Sequence, residues 1–333
     1  MYIKYKKPVA ITAWASVAGK KEGEGPLADK FDERVADDYF GQQTWEKAET
    51  ELQGRCIGHL LHKKGISAED INVAFGGDLT NQITSTSFTM RRFAFPFVGL
   101  YNACSTMAEA LLVAGCAIDG GFADNALALA SSHFCTAERQ FRTPLDYGGK
   151  RTPTAQWTVT GCGSMLLERV GHSAFIVAAQ VGRVVDLGVT DANNMGAAMA
   201  PAAANTIRNF LLASGTKADD YDAIYTGDLG QVGSRLLWQL LEKENIVLTN
   251  HIDCGNVIFA ENQNVQSGAS GCGCGATVLA ADILPKIQNG QLDNILFVAT
   301  GALLSPSTTM QGESIPCIAH LVNIKSKKEI QKK

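Results

Sequence analysis

The sequence has no Cys-x-x-Cys pair, no basic stripe interleaved with aromatics, and no uncharged apolar run near the ~20 residues of a membrane span. Each absence removes a class of protein. Nine cysteines, an odd number scattered along 333 residues, indicate neither a disulfide framework nor a zinc site, and a reducing compartment is the simpler setting. A net charge of -4 and a pI near 5.9 leave out the basic footprint that phosphate backbones require, so no nucleic acid is expected as a partner. The opening Met-Tyr-Ile-Lys-Tyr-Lys-Lys-Pro lacks the apolar core of a signal peptide, and a soluble chain is expected. With 46% hydrophobic and 19% charged residues, the composition is that of a globular protein of about two domains or one large α/β unit.

The stretch Phe95 to Met107, Phe-Pro-Phe-Val-Gly-Leu-Tyr-Asn-Ala-Cys-Ser-Thr-Met, changes its period at Asn102 to Ser105. Its first half suits a buried strand, and Ala108, Leu111, Leu112 and Gly115 then recur at helical spacing. Cys104 falls on the turn. There, unpaired N-H groups and the positive end of a helix dipole favour thiolate, as in a nucleophile or an anion pocket. The competing reading is a small buried hydrophobe.

Further strands are expected at Val9 to Val17, Ile71 to Phe75, Ala126 to Ala130 and Trp157 to Leu167, with a helix over Gln43 to Lys64 that stops at Gly65. Gly19 to Asp38 reads as an exposed loop and Thr136 to Lys150 as a polar functional loop. The pattern then repeats. A shift of 150 residues sets Ser67 to Leu79 on Lys217 to Leu229, including Gly77-Asp78-Leu79 on Gly227-Asp228-Leu229. A shift of 169 sets Asp119 to Ser132 on Gln288 to Gly301, and Asn102 to Ser105 on Gly271 to Cys274. The halves are copies, residues 1–170 and 171–324, followed by a basic tail, 325–333, expected to be disordered. Alternating strands and helices predict two packed parallel sheets with ligand sites beyond the carboxyl ends of the strands. Loops carrying Asp78, Cys104, His133 and Arg142 would there meet Asp228, Cys254, Cys272 and Ser305.

The duplicated halves, the Asn-Ala-Cys-Ser-Thr turn and the strand Thr160-Gly-Cys-Gly-Ser-Met-Leu-Leu-Glu168 resemble the thiolase and ketoacyl-synthase superfamily. Strings such as Lys21-Glu-Gly-Glu-Gly-Pro-Leu27, Gly77-Asp-Leu-Thr-Asn-Gln82, Thr136-Ala-Glu-Arg-Gln-Phe-Arg142 and Ala299-Thr-Gly-Ala-Leu-Leu-Ser-Pro306 are similar to a sporulation branch of it. The resemblance implies a five-layered αβαβα fold and a homodimer. It also implies binding of dipicolinic acid, free or as its calcium chelate, with no cofactor. A part in moving that compound into the developing spore follows, alongside membrane-embedded proteins of the same operon and with peripheral contact to the spore inner membrane. The acyl-transfer enzymes of the superfamily pair their Cys with second-half histidines, whereas the loop opposite Cys104 reads Ser267-Gly-Ala-Ser-Gly-Cys-Gly-Cys274. Catalysis is therefore the alternative, as an acyltransferase with an acyl-thioester on Cys104, and His251 and His320 are the second-half candidates for its base.

For a planar dicarboxylate, Arg139 and Arg142 would supply guanidinium donors and the Cys104 turn would supply N-H groups. His133 is a candidate donor, and Asn81 a side chain projecting into the pocket. Asp78, Cys272 and Ser305 complete the expected ligand-binding set. As bland readings, Arg139 and Arg142 form a solvated loop pair, His133 is a satisfied structural histidine, and Asp78 and Asp228 are turn or cap residues. Cys272 and Cys274 lack the further ligands that a metal would need.

Overall fold

A computed structural model describes residues 1–141 and 151–332. In chain order its strands are β1 (Tyr2–Ala18), β2 (Glu33–Arg34), β3 (Ala74–Gly77), β4 (Phe97–Gly99), β5 (Asn125–Ser132), β6 (Trp157–Thr158), β7 (Gly161–Glu168), β8 (Ala174–Gln180), β9 (Ala223–Thr226), β10 (His251–Asp253), β11 (Ala269–Ser270), β12 (Asn294–Ala302) and β13 (Cys317–Ser326). The helices that matter for the site are α1 (Trp45–Lys64), α2 (Thr84–Phe93), α3 (Thr106–Asp119), α4 (Phe134–Phe141), α5 (Met195–Ser214), α6 (Gly230–Glu242), α7 (Cys254–Val257) and α8 (Cys272–Val278).

The duplication is visible strand for strand. One half runs β1-β7-β5-β3-β4 across its sheet and the other β8-β13-β12-β9-β10. Local devices repeat as well: Asp70 and Asp220 each accept a backbone N-H three residues upstream at 2.8 Å. Asn125 and Asn294 donate to the carbonyls of those same aspartates at 2.8 and 2.9 Å. The expectation of all-parallel sheets needs correction. β3 is parallel to β4 and β5, and β9 to β10 and β12, but β7 and β13 run antiparallel to their neighbours. Parallel neighbours need a crossover, and the connections from β5 to β7 and from β12 to β13 return at the same end instead. β1 and β8 also pair, Tyr2 opposite Gln180 and Ile11 opposite Ala174, so the halves share one hydrogen-bonded sheet of eleven strands, with β2 on β1.

The layers follow from which faces are apolar. β5 and β12 are buried almost end to end, as strands covered on both faces must be. α3 packs on β1, β3 and β5 on one side and on β12 and β13 on the other, and α8 packs on β5, β7 and β12. These two apolar helices are the middle layer. α1 and α2 cover the outer face of the first half, α5 and α6 that of the second, giving the αβαβα order. Glycines set the spacing: a Cβ on Gly163 would lie 2.2 Å from the Ala276 carbonyl of α8, and one on Gly301 would lie 2.2 Å from the Asn102 carbonyl.

Three local expectations change. β4 is a three-residue edge strand with Val98 exposed, not a buried strand, because nothing among the described residues pairs with its outer side. Gly19 to Asp38 is not simply an exposed loop: two short 3-10 turns bury Glu22, Leu27 and Phe31. The C-terminal residues are ordered through Lys332. β13 runs to Ser326, whose side chain caps the turn Lys327–Ile330, and Lys328 pairs with Asp293 at 2.9 Å.

Two glycine substitutions separate packing from propensity. Gly301→Ala should destabilise the chain by about 1–3 kcal/mol, since backbone must move. Gly58→Ala, exposed in α1 with nothing near its Cβ position, should stabilise by up to about 1 kcal/mol. Urea unfolding of both variants checks the contrast, and equal effects would contradict this packing.

Candidate functional site

Cys104 stands at the junction of the halves. The turn before α3 closes through Ser105 N-H to the Asn102 carbonyl at 3.0 Å, with Ala103 in the left-handed region at φ 49°. The next residue pins this turn to the other half. Ser105 Oγ donates to the Ala299 carbonyl of β12 at 2.7 Å and accepts from His320 N of β13 at 3.0 Å. The Cys104 thiol lies beside the Asp228 carboxylate, which accepts from Gly271 N at 2.9 Å and Thr300 Oγ1 at 2.8 Å.

The electrostatics reverse the thiolate expectation. Burial, Asp228 and Cys272 all push the Cys104 thiol well above its ordinary range, and the helix terminus does not offset them. Cys104 is only 8% exposed. It is a protonated, buried thiol. Asp228 is itself raised to about 6, chiefly by burial.

Among the described residues no histidine is hydrogen-bonded to this thiol. His251 Nε2 is 2.8 Å from Thr226 Oγ1, which donates to Asp253 at 2.6 Å, while Trp238 donates to His251 Nδ1 at 2.9 Å. His320 Nδ1 accepts from Gly182 N at 3.2 Å. Burial lowers both rings to about 4, so both are neutral.

Behind Cys272 lies a buried polar network. Cys272 Sγ donates to the Ser131 carbonyl at 2.8 Å; Ser131 Oγ sits 2.8 Å from Glu49 Oε1 and accepts from Gln53 at 2.7 Å. Glu49 Oε2 is 2.9 Å from Thr136 Oγ1, which is also 2.9 Å from the His133 carbonyl. One hydroxyl proton cannot serve both, and a proton on Glu49 resolves the conflict. Burial, with Asp78 nearby, accordingly raises Glu49 to about 8. Asp78 is saturated: it accepts from Thr80 N at 2.8 Å and Thr86 N at 2.7 Å, and from both hydroxyls, so it holds the entry to α2 as a turn-and-cap residue.

The remaining expected residues are spread out. His133 is buried, its Nε2 2.8 Å from the Asp38 carbonyl and its Nδ1 accepting from Cys135 N at 3.2 Å. That pattern fixes a neutral Nε2-H ring. It borders a cavity of about 330 Å³ lined by Lys20, Lys21, Glu22, Asp38, Phe134 and Trp157, among others. Arg139, on α4 rather than in a loop, is ion-paired to Glu46. Glu138 pairs with Arg151 at 2.9 Å. Asn81 is exposed, its backbone N-H held by Gln140 at 2.9 Å. Ser305 caps the short helix after β12, accepting from Thr308 N at 3.2 Å. Arg142 lies outside the described residues.

Sequence reading left out three residues that the structure makes prominent: Asp228 as the neighbour of Cys104, Glu49 and Glu22. The repeat exposed Asp228 but gave it the role of Asp78, and the two copies use this aspartate differently. Glu49 did carry a signal. With Gln53 it sits inside the buried stripe Ala48, Leu52, Cys56, Ile57 and Leu60 of α1, where an acid stands out.

Residues 2–325 match the stage V sporulation protein AD (SpoVAD) family. The chain is 42% identical over 317 residues to stage V sporulation protein AD of Bacillus subtilis (strain 168), covering 95% of this chain and 94% of that protein. Among solved structures it is similar to 3-oxoacyl-[acyl-carrier-protein] synthase III of Aquifex aeolicus VF5, with a TM-score of 0.60 and 15% identity over 95% of this chain and 99% of that one. Acetamide-bound OleA of Xanthomonas campestris gives a TM-score of 0.61 at 13% identity, over 98% of this chain and 100% of that one. Identities this low speak for the fold alone.

The buried acids predict an inverted pH response. Glu22, Glu49, Glu109 and Asp253 are raised to about 7 or 8, so each keeps its proton in the fold after the unfolded chain has lost it. Their contribution is complete below the unfolded carboxyl range and is lost as pH rises toward 8, by up to about 1.4 kcal/mol per pH unit for each proton. His251 and His320 act oppositely, and only as pH falls from about 6.5 toward 4. Melting temperature should therefore rise as pH is lowered from 8.5 to 6.5, and Glu49→Gln should flatten the rise. A melting temperature constant over that interval would contradict these assignments.

Proposed function

This chain belongs to the stage V sporulation protein AD family, and on that premise we propose that it is a dipicolinic acid-binding protein of sporulation. It uses a thiolase-like fold as a binding scaffold and takes part in dipicolinate uptake into the developing spore, with membrane-embedded proteins of the same operon providing the passage. No helix among the described residues is long and apolar enough to cross a membrane, and association with the spore inner membrane is peripheral in this reading.

The observation that carries the binding reading is the contrast between two places at one end of the fold. Around Cys104 the chemistry is closed: a protonated thiol beside Asp228, buried acids behind it, and among the described residues no histidine hydrogen-bonded to it. Beside His133, a cavity opens with Lys20 and Lys21 on its rim and Phe134 stacked on Trp157, ring centroids 4.1 Å apart, in its wall. Two cations and an aromatic wall suit a small aromatic dicarboxylate once the acids on the same lining, Glu22, Glu24 and Asp38, are offset by a proton on Glu22. The rival reading, acyl transfer on Cys104, draws only on the fold shared with the condensing enzymes.

Dimerisation is part of the proposal. The outer edge of β4, without a partner among the described residues, carries exposed Val98, with exposed Tyr101 and Phe88 nearby, an apolar patch on an edge strand. Light scattering on the full chain should give two copies, and a monomer at micromolar concentration would remove this element.

Titration calorimetry tests the main reading. Dipicolinate should bind the parent, Cys104→Ala should bind within twofold of it, and the double variant Lys20→Ala, Lys21→Ala should bind at least tenfold more weakly. Absence of heat with the parent, or loss in the cysteine variant with the lysine variant unaffected, would overturn it.

A further inference from the structure

The segment between β1 and α1 places an acid where solvent does not reach. Glu22 is 1% exposed and lies on the wall of the cavity beside His133. Its Oε1 accepts from Thr160 N at 3.0 Å, while its Oε2 has no hydrogen-bond partner. A buried carboxyl oxygen left without a partner is costly, and native structures rarely keep one without a reason. Gly19 packs closely against it, since a Cβ there would lie 2.9 Å from this oxygen.

The charges around the cavity limit what can enter. Lys20 and Lys21 face Glu22, Glu24 and Asp38, so with Glu22 ionised the lining carries two positive charges against three negative. An anion is then opposed. Protonating Glu22 evens the balance and turns Oε2 from an orphan acceptor into a donor. The other groups that face it cannot take this part. Both His133 nitrogens are occupied, and burial raises the Cys135 thiol to about 11. Lys21 Nζ is engaged by the Gln263 carbonyl at 2.7 Å and lies over Trp157, whose ring Arg151 also approaches. Arg151 in turn is paired with Glu138 at 2.9 Å.

We propose that Glu22 is a ligand-binding residue of this cavity: as a neutral acid it donates Oε2-H to the carboxylate of a small aromatic anion, and each binding event takes one proton from solvent onto Glu22. The inference rests on the binding reading above and adds the site, the donor and the proton. No covalent bond changes. The proton comes from water or buffer and returns there on release. Glu22 rests near 7, raised chiefly by burial, so the proton is gained at ordinary working pH with little penalty.

Calorimetry on the full chain at pH 7.5 in phosphate and in Tris tests this, with dipicolinate and benzoate as probes. The observed enthalpies should differ between the buffers by more than half a proton's ionisation heat, and affinity should fall by up to tenfold per pH unit above 7. Glu22→Gln, which keeps the shape and can still accept from Thr160 N, should bind with buffer-independent enthalpy and a flat pH profile. Proton uptake with benzoate but no binding of dipicolinate would support the Glu22 site while overturning the dipicolinate reading. Binding of either probe without proton uptake, uptake that persists in Glu22→Gln, or no binding of either probe would overturn the proposal.

Discussion

Asp228 is the contact on which the junction depends. It is wholly buried past the carboxyl end of β9, beside the Cys104 thiol of the first half; its two oxygens accept from the Gly271 N-H that opens α8 and the Thr300 hydroxyl of β12, and its backbone carbonyl accepts from Gln156 Nε2 of the first half at 2.7 Å. Two half-domains packed through apolar helices could slide, because dispersion and burial have little direction. Hydrogen bonds to one buried carboxylate do have direction, and Ser105 adds two more between the Cys104 turn and the second-half strands. Register between the halves is thereby tied to the turn that carries Cys104.

That arrangement accounts for the fate of the cysteine. A nucleophilic thiol needs its charge stabilised, and a helix terminus contributes modestly unless a base or cation assists. Here the neighbour is an acid, with Glu49 and Asp78 buried behind Cys272. The balance is settled first by burial, with the Asp228 charge adding to it, and one helix end does not offset the two. The same dry interior raises the acids themselves, Glu49 to about 8 and Asp228 to about 6.

How far the sequence reveals this is uneven, for physical reasons. Periodicity and duplication were legible because they are properties of the chain: the Gly-Asp-Leu copies and the matched turns at Asn102 and Gly271 foreshadow the strand orders of the two halves. Antiparallel β7 and β13 were not, because strand direction depends on which end a connection returns to. The bland reading of Asp78 as a turn residue held, since a Gly-Asp followed by threonines invites local capping. The split in role between Asp78 and Asp228 was invisible, because it arises from what each meets across the junction. Glu22 sits in a string dense with Lys, Glu and Gly, where an acid reads as solvated; only its packing against Thr160 and Gly19 takes it out of water.

Whether Cys104 is a structural thiol or a catalyst at rest is answered most directly by intact-mass spectrometry of the full chain after incubation with acyl-CoA, with Cys104→Ala alongside. The parent is expected to remain at its unmodified mass, with no release of coenzyme A above the variant. A stoichiometric acyl adduct on the parent, absent from Cys104→Ala and discharged on further turnover, would contradict the protonated, buried thiol described here.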